Sequence, residues 1–341
     1  MLYNPTLLDN NIITSRIRLA RNVADMPFRI TDNQKCREII KAVSLALGKS
    51  DNFSLYYLSN MTYMQLEAFK ERHLISQSLI DNKDRAAVFI TSDEKFSIMV
   101  HEEDVLREQG VARGLRLHEI YKKLNSIDDL IAKKLNFAFD KRLGYLTACP
   151  TNVGTGLRAS VMLFLPALTE SGKIKSIVKK AERLGLAVRG VYGEGSKADG
   201  FMYQVSNEVT LGVSESELVS GVENAVLSLC EAECNEEVEF YGKIKNKTED
   251  ECFRALGILS TARILDYKEF LSLAAKVKLG ISLKFFDFEN PEAIDDLMVA
   301  VRPMNLCYRY GIDLTQAERD RLRAEFTRES IIKIVGKKGN V

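Results

Sequence analysis

The sequence predicts an α+β fold: an antiparallel sheet interleaved with helices over roughly the first two-thirds, followed by a helical C-terminal region. Three features carry that expectation. Short segments alternate with period two, longer segments between them keep helical periodicity, and strand signals thin out after about residue 240. The 341 residues are 46% hydrophobic, enough for one large or two modest cored domains.

In chain order, "NIITSRIRLARN" (11–22) sets Arg16 and Arg18 on one face of a strand and Ile17 and Leu19 on the other. "TDNQ" at Thr31 to Gln34 reads as a capping box for a helix reaching about Leu47. "AAVFI" and "FSIMV", joined by "TSDEK", predict a β-hairpin with the polar "HEED" at the end of its second strand. Helical patterns cover roughly 114–135, 155–184 and 214–234, whereas "LAVRGVY", "FMYQVS" and "EVTLG" read as successive strands. A boundary near 235–245 divides a catalytic part, 1–240, from a helical part, 241–341. The charged "NEEVEFYGKIKNKTEDE" (235–251) serves as the expected hinge.

Composition narrows the function classes. Forty-eight basic against forty-seven acidic residues leave a net charge of +1, so no bulk field points to nucleic acid or an anionic membrane. Six cysteines without a C-x-x-C pair and three scattered histidines suggest neither a disulfide framework nor a zinc site, in keeping with a reduced cytoplasmic setting. The apolar run "VMLFLPAL" falls far short of the ~18 residues of a membrane span, and no signal-peptide pattern opens the chain.

Candidate chemistry is local. Arg16, Arg18, Arg107, Arg158 and Arg189 each sit beside other loop or site features. Guanidinium forks suit phosphate oxygens, and phosphoryl transfer is mainly positioning plus charge neutralisation. Any one of them taken alone reads equally well as a solvated surface side chain. Glu103 in "HEED" and Glu194 in "YGEGS" are candidate carboxylates: a guanidinium acceptor is protonated at neutral pH, so a base must align it and take a proton. Spacing alone also permits a solvated acidic cluster at 102–104 and a plain turn residue at 194. Cys149, opening "CPTNVGTGLRAS", is either a thiol activated ahead of a Gly-rich loop that opens a helix or an inert one. His73 in "ERHLIS" is a core-edge histidine or a nucleotide contact. "ALGKS" lacks the first glycine of a P-loop, and "GEGSKADG" precedes a strand pattern rather than the helix of a dinucleotide fingerprint.

In this order, "SRIRLARN", "EED..LR", "CPTNVGTGLRAS" and "RGVYGEGS" resemble the phosphagen (guanidino) kinase family, and within it the bacterial protein arginine kinase type. Only fifteen residues precede Arg16, where small-molecule members carry a helical domain, and "RDRLRA" (319–324) matches that type's R-D-x-x-R-A motif. The resemblance covers nearly the whole chain and implies ATP-dependent phosphorylation of protein arginine side chains, with Mg²⁺ held largely by phosphate oxygens and water and no dedicated protein metal site. It implies nucleotide contacts at Thr14, Ser15, Arg16, Ile17, Arg18, His73, Arg107, Arg158, Ala159, Ser160, Val161, Met162, Arg189, Gly190, Val191, Tyr192, Gly193 and Glu194. Glu103, Cys149 and Glu194 become the catalytic set. Arg319, Asp320, Arg323 and Ala324 become an allosteric phosphoarginine pocket, although their helical spacing alone suits an ordinary charged surface. It further implies a homodimer, a zinc-finger activator, and a stress-response role beside a Clp unfoldase. The chain departs from the family's usual pattern at His101 and Val105, which flank the acidic run, in its short lead-in, and at "VRPMNL", a variant of a Gln-Pro form.

Overall fold

The structure, a computed structural model, describes residues 10–48, 53–190, 199–286 and 290–335. The strands are β1 (Ile12–Arg21), β2 (Phe53–Tyr57), β3 (Ala87–Thr91), β4 (Phe96–Val100), β5 (Leu106–Arg113), β6 (Phe139–Asp140), β7 (Gly144–Tyr145), β8 (Leu157–Phe164), β9 (Leu186–Gly190) and β10 (Met202–Asn207). β6 and β7 form a small ribbon. The other eight make one antiparallel sheet in the order β2-β3-β4-β5-β1-β8-β10-β9, which puts β1 near its middle.

Alternation along β1 decides the layering. Ile17 and Leu19 are fully buried with Leu157, Ala159, Val161 and Leu163 of β8, under the helices Asn33–Leu47, Leu117–Ala132 and Glu215–Lys243. The opposite face is left to polar side chains. The first of those helices starts at Asp32, whose carboxylate accepts from the Gln34 and Lys35 backbone N–H groups at 2.8 and 3.2 Å; the cap therefore falls one residue after the Thr31 expected from the sequence.

Three sequence expectations are corrected. The pattern at 155–184 is β8 followed by two short helices, Pro166–Glu170 and Ile174–Arg183, because Val161 to Leu165 are all apolar, with Leu163 to Leu165 buried on both faces, and lose their period-two signal. "EVTLG" is no strand: the ladder ends at Asn207, and the Thr210 hydroxyl reaches the Thr151 and Val153 carbonyls at 2.8 Å each. The expected hinge is helical, with Glu215–Lys243 unbroken through residue 240 and Lys245–Thr261 starting just after Ile244.

Toward the C-terminus, Tyr267–Ser282, Ala293–Ala300 and Gln316–Val335 join Lys245–Thr261 in a second core, which takes Phe164 and Met202 from the sheet, while Leu306 and Cys307 of the helix Pro303–Tyr310 cluster with Leu314. A further tie runs from Glu71, at the end of the helix Tyr63–Glu71. Its carboxylate accepts from the Met304 and Asn305 N–H groups, at 3.0 and 2.8 Å, capping the helix Pro303–Tyr310.

Glu233 gives a test of this packing. It is fully buried, accepts from the Ala167 and Leu168 N–H groups at 2.6 and 2.9 Å, and burial pushes its pKa up to about 8. Above the ordinary carboxyl pKa the unfolded chain releases this proton while the folded chain keeps it, so the contribution to stability falls as pH rises from 4.5 to about 8. Melting temperatures measured across that range should decline less in Glu233→Gln than in the unaltered chain; parallel profiles would refute the assignment.

Candidate active site: a guanidinium-lined sheet face

Directly paired residues in an antiparallel sheet share a face. Arg18 pairs with Arg158, and Ala20, on the same side of β1, pairs with Arg107. Thr14 pairs with Met162, Met162 with Gln204, and Gln204 with Arg189. The five candidate arginines, from four strands, thus lie on the face turned away from the main core. Thr14, Ser160 and Met162 join them there. Ser15, Ile17, Ala159 and Val161 occupy the alternate positions and point into the core, so the two strands cannot offer their side chains to a ligand on this face.

Little anionic charge answers this array. Glu102 is buried in an ion pair with Arg107. Burial, then the charges of Arg107 and Arg158, lowers the Arg16 pKa to about 10. Burial followed by the charges of Arg16, Arg107 and Arg158 holds Arg18 well below the usual guanidinium range, with Glu102 opposing. Burial with Arg189 and Arg107 also lowers Arg158. The Nε atoms of Arg18 and Arg158 are buried without a hydrogen-bond partner, two donors the protein leaves unsatisfied. Arg16 is held by the Gln204 side-chain oxygen at 3.0 Å, and Arg158 reaches the Ser206 hydroxyl at 3.0 Å.

A cavity of about 470 Å³ continues from the array, lined among others by Thr14, Arg16, His73, Met162, Gln204 and Arg302. His73 follows the helix Tyr63–Glu71 with φ +62°, and its carbonyl accepts from the Gln109 amide at 2.7 Å. His73 is exposed and lines the cavity. The enclosing walls and then the charges of Arg302, Arg16 and Arg18 lower its pKa to about 3, leaving the ring neutral at physiological pH. Sequence reasoning missed Gln109, Gln204 and Arg302. The alternation of β5 and β10 would have placed the first two; Arg302 comes from the C-terminal region and carries no local signal.

Glu103 is exposed beside the array, and its N–H donates to the Glu102 carboxylate. The Cys149 Sγ, partly buried, lies 3.0 Å from the Thr151 hydroxyl. The segment after it is a single 3₁₀ turn, Pro150–Asn152, leading into β8, so the thiol does not sit at the start of a helix as the sequence suggested. The loop's glycines answer close backbone approach: a Cβ on Gly154 would meet the Thr210 carbonyl oxygen at 2.2 Å, and one on Gly156 that of Ala20 at 2.6 Å. Gly190 ends β9; Val191, Tyr192, Gly193 and Glu194 lie outside the described residues.

At the departures from the family pattern, His101 is buried with Nε2 3.1 Å from the Cys36 carbonyl, and Val105 donates its N–H to the Asn22 side-chain oxygen at 2.8 Å. In "RDRLRA", Arg323 is only 1% exposed. It donates to the Val301 and Leu265 carbonyls at 3.0 and 2.9 Å and to Asp320 at 2.6 Å. Ala324 is buried too, which leaves the half-buried Arg319 and Asp320 as the accessible ones of the four candidate pocket residues.

Residues 35–236 match the family model described as ATP:guanido phosphotransferase, C-terminal catalytic domain, and residues 245–340 match Protein-arginine kinase McsB C-terminal domain. The chain is 42% identical to the protein-arginine kinase of Caldanaerobacter subterraneus subsp. tengcongensis, covering 92% of this chain and 95% of that one. It is likewise 42% identical to the protein-arginine kinase of Clostridium kluyveri, over 94% of each. Among solved structures, the duplicated taurocyamine kinase of Schistosoma mansoni with bound transition state analog components superposes with a TM-score of 0.60 at 29% identity, over 69% of this chain and 34% of that one.

The unanswered charge predicts opposite effects on folding and on binding. Arg18→Met should raise the melting temperature of the nucleotide-free protein, because it removes a buried guanidinium among like charges, while weakening ATP binding at least about tenfold. Calorimetry on both forms checks this; a variant less stable and equally able to bind ATP would overturn the reading of the array as an anion site.

Proposed function

Because the chain belongs to the ATP:guanido phosphotransferase family, and is 42% identical along most of its length to a protein-arginine kinase, we propose that it transfers the γ-phosphoryl group of ATP to arginine side chains of proteins. The observation that carries the reading is the array of five guanidiniums on one sheet face, two of them with orphaned buried Nε donors, with Arg16 also lining the adjoining 470 Å³ cavity. A triphosphate supplies the missing acceptors, and the cavity lies within the usual range for a small-molecule site. Among the described residues no group of three His, Cys, Asp or Glu side chains could cage a metal. Mg²⁺ would therefore arrive on the nucleotide, neutralising phosphate charge with water completing its shell.

The chain's own groups divide the work. Arg16, Arg18, Arg107, Arg158 and Arg189 hold the phosphates and meet the charge that develops in transfer. Neutral His73 offers an uncharged edge to the nucleoside end. At the acceptor, a guanidinium nitrogen forms the new N–P bond as the bond from the γ-phosphorus to the ADP oxygen breaks, and the nitrogen's proton passes to a carboxylate. Glu103, exposed at the mouth, and Glu194 are the candidates for that base, with Cys149 facing the acceptor. In this reading the regulatory subsite in "RDRLRA" presents Arg319 and Asp320 to phosphoarginine, and Arg323 is a structural bolt. A homodimer, a zinc-finger activator and a Clp unfoldase downstream belong to the same proposal, as does a cytoplasmic location; no helix among the described residues is long and apolar enough to cross a membrane.

Mass spectrometry at neutral pH tests the reaction, using an unstructured arginine-containing protein incubated with the chain and Mg-ATP. Phosphate should appear on arginine, and Glu103→Gln should lower the rate about 10² to 10⁴-fold with ATP binding retained. Phosphate on free arginine but never on protein would replace the reading with a small-molecule kinase. No phosphate on either acceptor, with activator supplied, would leave a phosphoarginine-binding adaptor. A second measurement concerns the subsite: Arg319→Ala should keep basal turnover but flatten the response to added phosphoarginine, and an unchanged activation curve would return the motif to an ordinary charged helix.

A further inference from the structure

The two acceptor-side candidates come from distant parts of the chain, and one buried pair joins them. Asp104, the residue after Glu103, is 4% exposed. Its Oδ1 accepts from the Ala148 N–H at 2.6 Å, one residue before Cys149. The same Oδ1 accepts from the Asn22 side-chain amide at 2.7 Å. Asn22 is 1% exposed and satisfies three partners at once: its Nδ2 also donates to the Leu146 carbonyl at 3.1 Å, and its Oδ1 accepts from the Val105 N–H at 2.8 Å. Four hydrogen bonds thus bind the segment 104–105 to the segment 146–148 through one amide and one carboxylate. The residue before Asn22 holds the far end of the Cys149 loop: Arg21 donates to the Thr155 carbonyl at 3.0 Å and lies 3.6 Å from the centre of the Tyr145 ring. Arg21 is in turn fixed by Asp128, at 2.9 to 3.2 Å.

We propose that Asn22 and Asp104 are positioning residues for phosphoryl transfer, locking the Cys149 loop against the Glu103 segment so that both sides of the acceptor guanidinium are set by one buried hydrogen-bonded unit. The inference rests on the proposed reaction at this site. Neither residue touches substrate. Each acts through its neighbour in sequence, and a displacement of about 1 Å in either segment is enough to cost ~10²-fold in rate. Burial makes the unit all-or-none, since a lost partner leaves a polar group without water to replace it.

The test is a double-variant cycle. Asp104→Ala leaves the Ala148 N–H and one Asn22 donor without an acceptor, and Asn22→Ala leaves the Leu146 carbonyl and the Val105 N–H without partners. The measurements are kcat on an arginine-containing protein, Kd for ATP by calorimetry, and Tm. Each single variant should lose about 100-fold in kcat with Kd for ATP changed less than about twofold, and the double variant N22A/D104A should lose no more than about tenfold beyond the slower single. Single variants that melt and turn over like the unaltered chain would overturn the proposal, as would losses that multiply in the double variant. If a single variant does not fold, Asp104→Glu decides alone, since it keeps the carboxylate but lengthens the link by one methylene: folded and slower by about 100-fold with ATP binding retained supports the lock, folded with kcat within about twofold of the unaltered chain refutes it. Failure of the proposed reaction itself is seen separately, as absence of turnover by the unaltered chain.

Discussion

The structure depends on an uncompensated charge: five guanidiniums on one face of a sheet with Glu102 as a buried counter-ion. Two like charges 4 Å apart repel by about 4 kcal/mol even at an effective dielectric of 20, so side chains free to move would splay outward into water. Here the ladder fixes their backbones and the opposite face cannot release them, because Ile17, Leu19, Ala159 and Val161 are fully buried under three helices. The apolar half of each strand stabilises a polar half that opposes folding. Burial lowers the basicity of Arg16, Arg18 and Arg158, a sign that the array is more strained than solvated. Such strain at a site is relieved by a ligand of opposite charge, which in the proposed reaction is the triphosphate.

The C-terminal helices share this constraint. They take Phe164 and Met202 into their own core, and the Glu71 carboxylate caps the helix Pro303–Tyr310. Contacts lead from the charged last helix to the cavity: Arg323 donates to the Val301 carbonyl, and the next residue, Arg302, donates to the Glu71 carbonyl and lies 3.5 Å from the His73 ring. A chain of contacts is a route for coupling only where an element along it has two arrangements. The candidate is the helix start at Arg302, since its cap, its guanidinium partner and its neighbour's bond to Arg323 all meet within four residues.

How much of this was legible in the sequence follows from what each signal measures. The alternation of β1 separated Arg16 and Arg18 from Ile17 and Leu19, and the hairpin of β3 and β4 followed from two apolar runs and a turn. Both are local patterns, the first with one buried face, the second with apolar runs buried on both faces and set off by the turn between them. The pattern failed at β8, where Val161 to Leu165 are all apolar, Leu163 to Leu165 are buried on both sides, and residues such as Leu and Met favour helices. It failed again at 208–212, where β-prone residues follow the end of the ladder. In the site, the arginines were visible as residue types, whereas their common face required the register of four strands. Arg302 and the Asn22–Asp104 pair were invisible, because hydrogen bonds between residues 82 or more apart leave no periodic trace.

β1 explains why those two kinds of feature belong to one machine. In the proposed reaction its even positions, Arg16 and Arg18, take the donor phosphates, while its last residue, Arg21, and the following Asn22 hold the segments around Cys149 and Glu103. In-line transfer requires donor and acceptor to approach within about 3 to 3.5 Å with aligned orbitals, a tolerance that two independently mobile loops would not keep. A single strand at the centre of the sheet keeps it, since its backbone is bonded on both sides, to β5 and to β8. The alternation that makes a strand amphipathic therefore serves here to aim one segment at both reactants. The "ARN" that closes the β1 motif is where, in the proposed reaction, the strand passes from phosphate binding to acceptor placement.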